Sequence, residues 1–175
     1  MLCYLAILPP KKISDRIMKV RRTYVSDRFS QPHITLIPPF CPKNGLEKLT
    51  TDLVQVIHKF TSLEIKLDYF DIFKGSSQKQ GGNVLFIAVR DDGRLSGLQI
   101  KIFEAIQNSI TNLMPKYPSV FHITVLKRMD FPKISDALRE LKKVKIDDVF
   151  KVQEIVLFAK EADEPWQVKA RLPLR

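Results

Sequence analysis

Two of the chain's three histidines sit in an identical triplet. His33-Ile34-Thr35 lies in SQPHITLIPPF, and His122-Ile123-Thr124 lies in SVFHITVLKR. Each triplet opens a short apolar, β-branched run, the pattern of a buried strand. Side chains alternate faces along a strand, so each His and the Thr two positions on point the same way. Each copy therefore offers an imidazole beside a hydroxyl. Two such pairs facing across a cleft provide one group to take a proton from water and one to give a proton to a leaving oxygen. Their hydroxyls are placed to hold phosphate oxygens. That equipment suits hydrolysis of a phosphodiester without a metal. A single His-x-Thr is a weak signal, because a lone strand histidine is more often structural. Two identical copies, both at strand starts and both after similar upstream segments, point to function. His58, the third histidine, has no Thr two residues on and falls on the outer side of a helical stripe. It reads as a surface residue and serves as an internal control.

The elements that must position the triplets follow from periodicity. Cys3 to Leu8 reads as a buried strand. A helix is expected after Pro9-Pro10, with Ile13, Ile17, Val20 and Tyr24 at helical spacing. Its other face carries Lys12, Arg16, Lys19 and Arg22, with Arg21 and Arg28 nearby, and reads as solvated. Pro32 suits entry into the first motif strand, and Pro38-Pro39 is expected to end it. Phe40 reads as core or cleft rim. Asn44 is placed to cap a helix running to about Phe60, with Leu46, Leu49, Leu53 and Ile57 facing inward. Leu63 to Phe73 alternates as a half-exposed strand, and Lys74 to Asn83 reads as a mobile hairpin loop. Val84 to Val89 is a second buried strand. A long helix is expected next, its stripe running from Leu95 through Ile110 to Leu113, with Pro115 and Pro118 ending it. Pro132 opens a shorter helix with Ile134, Leu138 and Leu141. Val144 to Ile146, Val152 to Ala159 and Trp166 to Leu172 read as closing strands, with Trp166 a packing residue at a turn.

The two halves thus share one order: buried strand, helix, proline-bearing loop, His-Ile-Thr strand, helix. The triplet lies 30 residues after Cys3 in the first half and 38 after Val84 in the second. This weak duplication predicts two lobes about a pseudo-twofold axis that brings both histidines to a central cleft.

Composition narrows the class. At 175 residues the chain is long enough for a real core and reads as one domain, with a monomer as the default. No apolar run approaches a membrane span. The opening MLCYLAIL has no basic region before it and is followed at once by Pro-Pro and two lysines. It reads as a strand and not a signal peptide, which favours the cytoplasm. Cys3 and Cys41 read as free structural thiols, and neither has a companion at metal-ligand spacing. Twenty-nine basic residues against 19 acidic give a net charge of +10. That balance favours polyanionic partners such as RNA or nucleotides.

At the two triplets the sequence resembles the 2H phosphoesterase superfamily, whose members include 2'-5' RNA ligases and RNA 2',3'-cyclic phosphodiesterases. The His-x-Thr signature is present twice, and the order of elements fits over nearly the whole chain. The resemblance implies an α+β, bilobal fold over residues 1–175, with two pseudo-twofold-related antiparallel sheets lining a central cleft and helices outside. It implies an enzyme without metal or cofactor, acting on RNA ends or nucleotides. His33 and His122 are implied as acid and base, with Thr35 and Thr124 as phosphate ligands. For a 2',3'-cyclic phosphate opened to a 2'-phosphate, His33 is assigned as acid to the 3' oxygen and His122 as activator of water. One departure stands out. Relatives of the cyclic phosphodiesterase type often carry an Arg three residues after the second motif's Thr, and here that position is Lys127, followed by Arg128. Lysine supplies charge but not a bidentate fork. Strand parity puts Arg128 on the face of His122 and Thr124 in a regular strand, and Lys127 there only if the strand bulges. Two other readings compete with the enzyme: a non-catalytic RNA- or nucleotide-binding module using the same basic cleft, and a metal site built on the two histidines.

Overall fold

A computed structural model describes residues 1–24, 31–75, 82–112, 120–144, 146 and 148–175. Arg28, Leu113, Pro115, Pro118, Lys145 and most of the expected mobile loop (76–81) lie outside the described residues.

Strand β1 (Leu2–Ile7) leads through Pro9-Pro10 into helix α1 (Lys11–Tyr24) and motif strand β2 (Ile34–Pro42). Helix α2 (Gly45–Ile57) and strand β3 (Leu63–Phe73) connect to β4 (Asn83–Arg90). The second half repeats the first: β4 leads to α3 (Arg94–Ile106), then a short strand β5 (Ile110–Thr111), then motif strand β6 (His122–Met129). Helix α4 (Phe131–Leu141) and strands β7 (Val149–Val152), β8 (Glu154–Lys160) and β9 (Gln167–Pro173) follow.

The strands run in the order β7-β3-β4-β6-β2-β1-β8-β9, all antiparallel, in a strongly curled sheet. Along this path each lobe contributes four strands, with its motif strand innermost, and the ninth strand, β5, pairs with the end of β2. The two halves meet at a single residue pair, Ile34 with Ile123, so they form one continuous sheet across the pseudo-twofold axis.

Alternation along the strands sorts the two faces. In β1, Cys3, Leu5 and Ile7 enter the main core, where the helices pack, while Tyr4 and Ala6 join a separate apolar cluster on the other face. Helix α1 buries Ile13 and Ile17, α2 buries Leu49, Leu53 and Ile57, and α3 buries Leu95, Leu98, Ile102 and Ile106. Burial of these stripes is the main stabilising term, at about 1.5–3 kcal/mol for each fully buried Leu or Ile.

Several elements differ from the sequence expectation. Pro38-Pro39 does not end β2. Cys3 pairs with Phe40 and Leu5 with Ile37, so β2 carries one residue more than β1 between these points. The prolines sit in this irregularity, where the ladder does not require their missing N–H groups. Phe40 is fully buried and belongs to the core. Helix α2 stops at Ile57, with Phe60 packed beyond it against the core. Helix α3 stops at Ile106, seven residues short of the expected Leu113. Weak helix formers Asn108 and Ser109 follow, and Lys43 N–H bonds the Ser109 carbonyl at 2.9 Å. β-branched Ile110 and Thr111 then pair with the end of β2. Val144 and Ile146 lie in no strand. The edge strand starts later, where Val149 pairs with Lys66.

Candidate active site

The seam pair fixes the site. Ile34 and Ile123 are both fully buried and point into the main core. His33, Thr35, His122 and Thr124 therefore lie on the opposite face, where all four are half-buried. Antiparallel register through the seam sets His33 across from Thr124, and Thr35 across from His122. The structure brings the four motif side chains together. His58 is exposed at the end of α2 and takes no part.

The two imidazoles are held alike. His33 Nδ1 lies 2.8 Å from the Gln31 carbonyl, and His122 Nδ1 lies 2.9 Å from the Val120 carbonyl. A carbonyl only accepts, so Nδ1 donates in both rings and Nε2 is left for proton transfer. Burial pushes the pKa of both rings down from the ordinary 6.5, against the raising effect of these carbonyls. For His33, the charges of Arg21, His122 and Lys127 push the same way. Both rings are thus biased toward the neutral form.

Each motif strand bulges immediately after its triplet. In β2, Thr35 pairs with Ala6 and Ile37 with Leu5, which leaves Leu36 as the extra residue. In β6, Thr124 pairs with Phe86 and Leu126 with Leu85, which leaves Val125 extra. A bulge takes backbone groups out of the ladder, and buried carbonyls need another donor. Here the donors are side chains from the opposite half. Gln99 of α3 donates its Nε2 to the Leu36 carbonyl at 2.6 Å. Arg21 of α1 donates Nε to the Val125 carbonyl at 3.0 Å and Nη2 to the Thr124 carbonyl at 2.6 Å. Arg21 and Gln99 are also the buried polar side chains of the described residues, at 3% and 9% exposure. Burial pulls the guanidinium pKa down to about 10, still charged at neutral pH.

The β6 bulge decides on which face of the strand Lys127 lies. It shifts the parity of the strand, so Lys127 pairs with Val84 on the face of Thr124 and His122. A second irregularity leaves Arg128 unpaired between Lys127 and Met129, with φ at +59°, and both Lys127 and Arg128 are exposed. The regular-strand expectation for Arg128 is thereby corrected, and Lys127 takes the cleft-facing position. Burial lowers the Lys127 pKa, and the charges of Arg128 and Arg21 lower it further.

Residues 9–164 match the family model of the 2'-5' RNA ligase superfamily. The chain belongs to that superfamily. A Halalkalibacterium halodurans protein named as a putative phosphoesterase is 26% identical over 166 residues, 93% of this chain and 91% of its own. TT0787 of Thermus thermophilus superposes with a TM-score of 0.65 at 12% identity, over 100% of this chain and 98% of that one. E. coli LigT complexed with 3'-AMP superposes at 0.63 with 17% identity, over 98% and 97%. The 2H phosphoesterase fold that the resemblance implies is the fold observed.

In this superfamily member the triplets were plain in the sequence, and the residues that brace them were not. Arg21 looked like one more cation on a solvated helix face. Its signal was its place on the inward stripe, four residues after Ile17. Gln99 likewise lies one residue from Leu98 on the α3 stripe. Aromatic rings also border both histidines. Tyr4 lies 5.4 Å from the His33 ring, while Phe73 and Phe86 lie 5.0 and 5.4 Å from the His122 ring. Among the described residues no group of three or more His, Cys, Asp or Glu gathers in one place. A separate apolar cavity of about 330 Å³ lies beneath α1 and α4, lined by Ile13, Ile17, Phe70 and Leu141, and includes neither histidine.

Proposed function

We propose that the chain is a phosphodiesterase for RNA or nucleotide phosphodiesters that needs no metal, and that it opens 2',3'-cyclic phosphate ends to 2'-phosphates. One observation carries the reading: two imidazoles with matched Nδ1 anchors and two hydroxyls stand across one seam, each His opposite the other motif's Thr. Such a set can move one proton onto a leaving oxygen and one off an attacking water, with the phosphate held between. His33 protonates the 3' oxygen, and His122 takes the proton of the water that attacks phosphorus. A 5'-hydroxyl in the place of that water, with both histidines in the same roles, gives a 2'-5' linkage and a free 3'-hydroxyl, which is ligation. Thr35 and Thr124 donate to the non-bridging oxygens. Lys127, with Arg128 beside it, supplies positive charge to the phosphate.

Superfamily membership supports an enzyme of this chemistry, and LigT complexes with 3'-AMP and with ATP support a nucleotide as ligand. The basic balance of the chain suits a polyanionic substrate. Among the described residues no helix is long and apolar enough to cross a membrane. We place the enzyme in the cytoplasm as a monomer.

The test is incubation with EDTA and a short RNA ending in a 2',3'-cyclic phosphate, beside a His122→Ala control. Conversion to a 2'-phosphate by the wild type alone is expected. Salt-sensitive RNA binding without turnover of any cyclic or 2'-5' substrate would replace this reading with that of a binding module.

A further inference from the structure

The sheet face that carries the histidines is not covered by the helices, yet one wing of it is aromatic. Tyr4, Ala6, Val156 and Phe158, with Leu8 and Trp166 packed on them, form an apolar cluster separate from the main core. Its rings run outward from the site across four neighbouring strands. Tyr4 on β1 touches His33 at 5.4 Å and stacks on Phe158 of β8 at 4.8 Å, with planes 4° apart. Trp166, just before β9, meets Tyr4 edge-on at 4.6 Å and 90°. Tyr4 and Phe158 are buried, at 7% and 6% exposure. Trp166 is half-buried, and it is the ring of this row that solvent reaches.

We propose that Trp166 is the platform on which the cleft seats the base of a nucleotide whose phosphate lies between His33 and His122. This deepens the phosphodiesterase reading and rests on it. Two ring-to-ring steps separate the imidazole from the indole, about the reach from a nucleotide's phosphate to its base. An indole stacks any base, because every base has a π-face, and such contacts contribute about 1–3 kcal/mol each. Tyr4 and Phe158 act as the fixed floor that holds the indole in place. Lys160 Nζ lies over the indole ring, 5.6 Å from its centroid, and a base that stacks on that face takes its place. Burial pushes the Tyr4 hydroxyl up to about 12, so the floor adds no negative charge against a phosphate. The ligand class is therefore a nucleotide with its base, in preference to a base-free sugar phosphate.

Trp166 is the single tryptophan of the chain, so its emission reports this place alone. The full chain is titrated with adenosine 2'-monophosphate and, at equal ionic strength, with ribose 5-phosphate. Saturable quenching by the nucleotide and none by the sugar phosphate is expected, in the wild type and in the inactive His122→Ala variant alike. On adenosine 2',3'-cyclic phosphate, Trp166→Leu should raise KM about 5- to 150-fold, the equivalent of one stacking contact, with kcat nearly unchanged. Trp166→Phe, which keeps a ring, should fall between. Turnover of the cyclic nucleotide with unquenched emission, or with KM unmoved in Trp166→Leu, overturns the platform and leaves the phosphodiesterase standing. Quenching without turnover of any phosphodiester keeps the platform and removes the phosphodiesterase. Neither quenching nor turnover removes both. The quenching arm needs no variant to fold.

Discussion

Arg21 donates to the main-chain carbonyl of Thr124, in the opposite half of the molecule, at 2.6 Å. The helix that follows the first half's opening strand thereby braces the motif strand of the second half. Gln99 returns the favour one residue after Thr35. The pseudo-twofold axis relates not only the histidines but also the bulges behind them and the donors that satisfy those bulges.

Loss of this brace should act on the site as well as on stability. Arg21→Met leaves two buried carbonyls without these donors, at about 1–3 kcal/mol each. Thermal unfolding should show the loss, and Arg21→Lys should recover part of it. Because the bulge sets the face of Lys127, KM for the cyclic nucleotide should rise in Arg21→Lys. In a double-mutant cycle, Arg21→Lys and Lys127→Ala should be strongly non-additive. Additive effects on KM would mean that Arg21 supports the fold alone.

The histidines give a pH signature with a definite sign. Both imidazoles titrate below 6.5 in the folded chain because of burial. A base whose folded pKa is depressed binds fewer protons folded than unfolded, so its contribution is present above 6.5 and is lost as pH falls toward the folded value. Melting temperature should drop as pH is lowered through this window, and less steeply in a His33→Gln, His122→Gln double variant. The acid limb of kcat/KM should also lie below 6.5. Either single His→Ala should cost about 10²–10⁴-fold in kcat with substrate binding largely kept. A profile flat through the window in the wild type would remove proton transfer by these rings.

Lys127 stands where related cyclic phosphodiesterases often carry arginine. If it meets a phosphate as a point charge, Lys127→Ala should raise KM about tenfold and steepen no other dependence. Lys127→Arg should retain or improve binding, since a guanidinium adds a bidentate fork. Arg128→Ala, at the unpaired position next to it, should have the smaller effect. A larger loss in Arg128→Ala would reverse the assignment of the two cations, read directly from KM ratios.

Gly82 guards the second bulge. A Cβ at this position would meet the Arg128 Cα at 2.9 Å and its carbonyl carbon at 3.0 Å. Both are main-chain atoms, so the strand would have to move. Gly82→Ala should destabilise by about 1–3 kcal/mol, the usual penalty of overpacking. It should raise KM as well, because Lys127 is the next residue along the strand. Unchanged denaturant midpoint and KM would show that the strand end yields freely.

Much of this architecture was legible from the chain. The triplets, the inward stripes and the repeat of strand, helix and motif strand all rest on local periodicity, and periodicity survives into the fold. What was not legible depends on pairing. Pro38 and Pro39 look like a strand end until the extra residue opposite β1 is known. Arg21 looks solvated until the Val125 bulge presents its carbonyls. Lys127 points away from the site in any regular strand, and the unpaired Val125 of β6 changes that. Helix α3 ends early because Ile110 and Thr111 find partners at Pro42 and Cys41, which lie far away in sequence. Bulges are decisions of two strands together, and one strand's sequence does not record them.

The lobe that holds His33 is assembled from distant parts of the chain. Its inner strands β1 and β2 are synthesised first, and its outer strands β8 and β9 are synthesised last. The other lobe's strands β3, β4, β6 and β7 lie between them, from Leu63 to Val152, with only the short β5 of the first lobe among them. During translation, at about 5–20 residues per second, the second motif's half has all its strands before the first motif's half does. Leu2 to Ile7, apolar on both faces, must wait with one edge unpaired until Glu154 to Lys160 emerge. The first His-Ile-Thr leaves the ribosome early yet is the last to be completed, so a ribosome stalled before β8 carries a nascent chain with one finished half-site and an open strand edge.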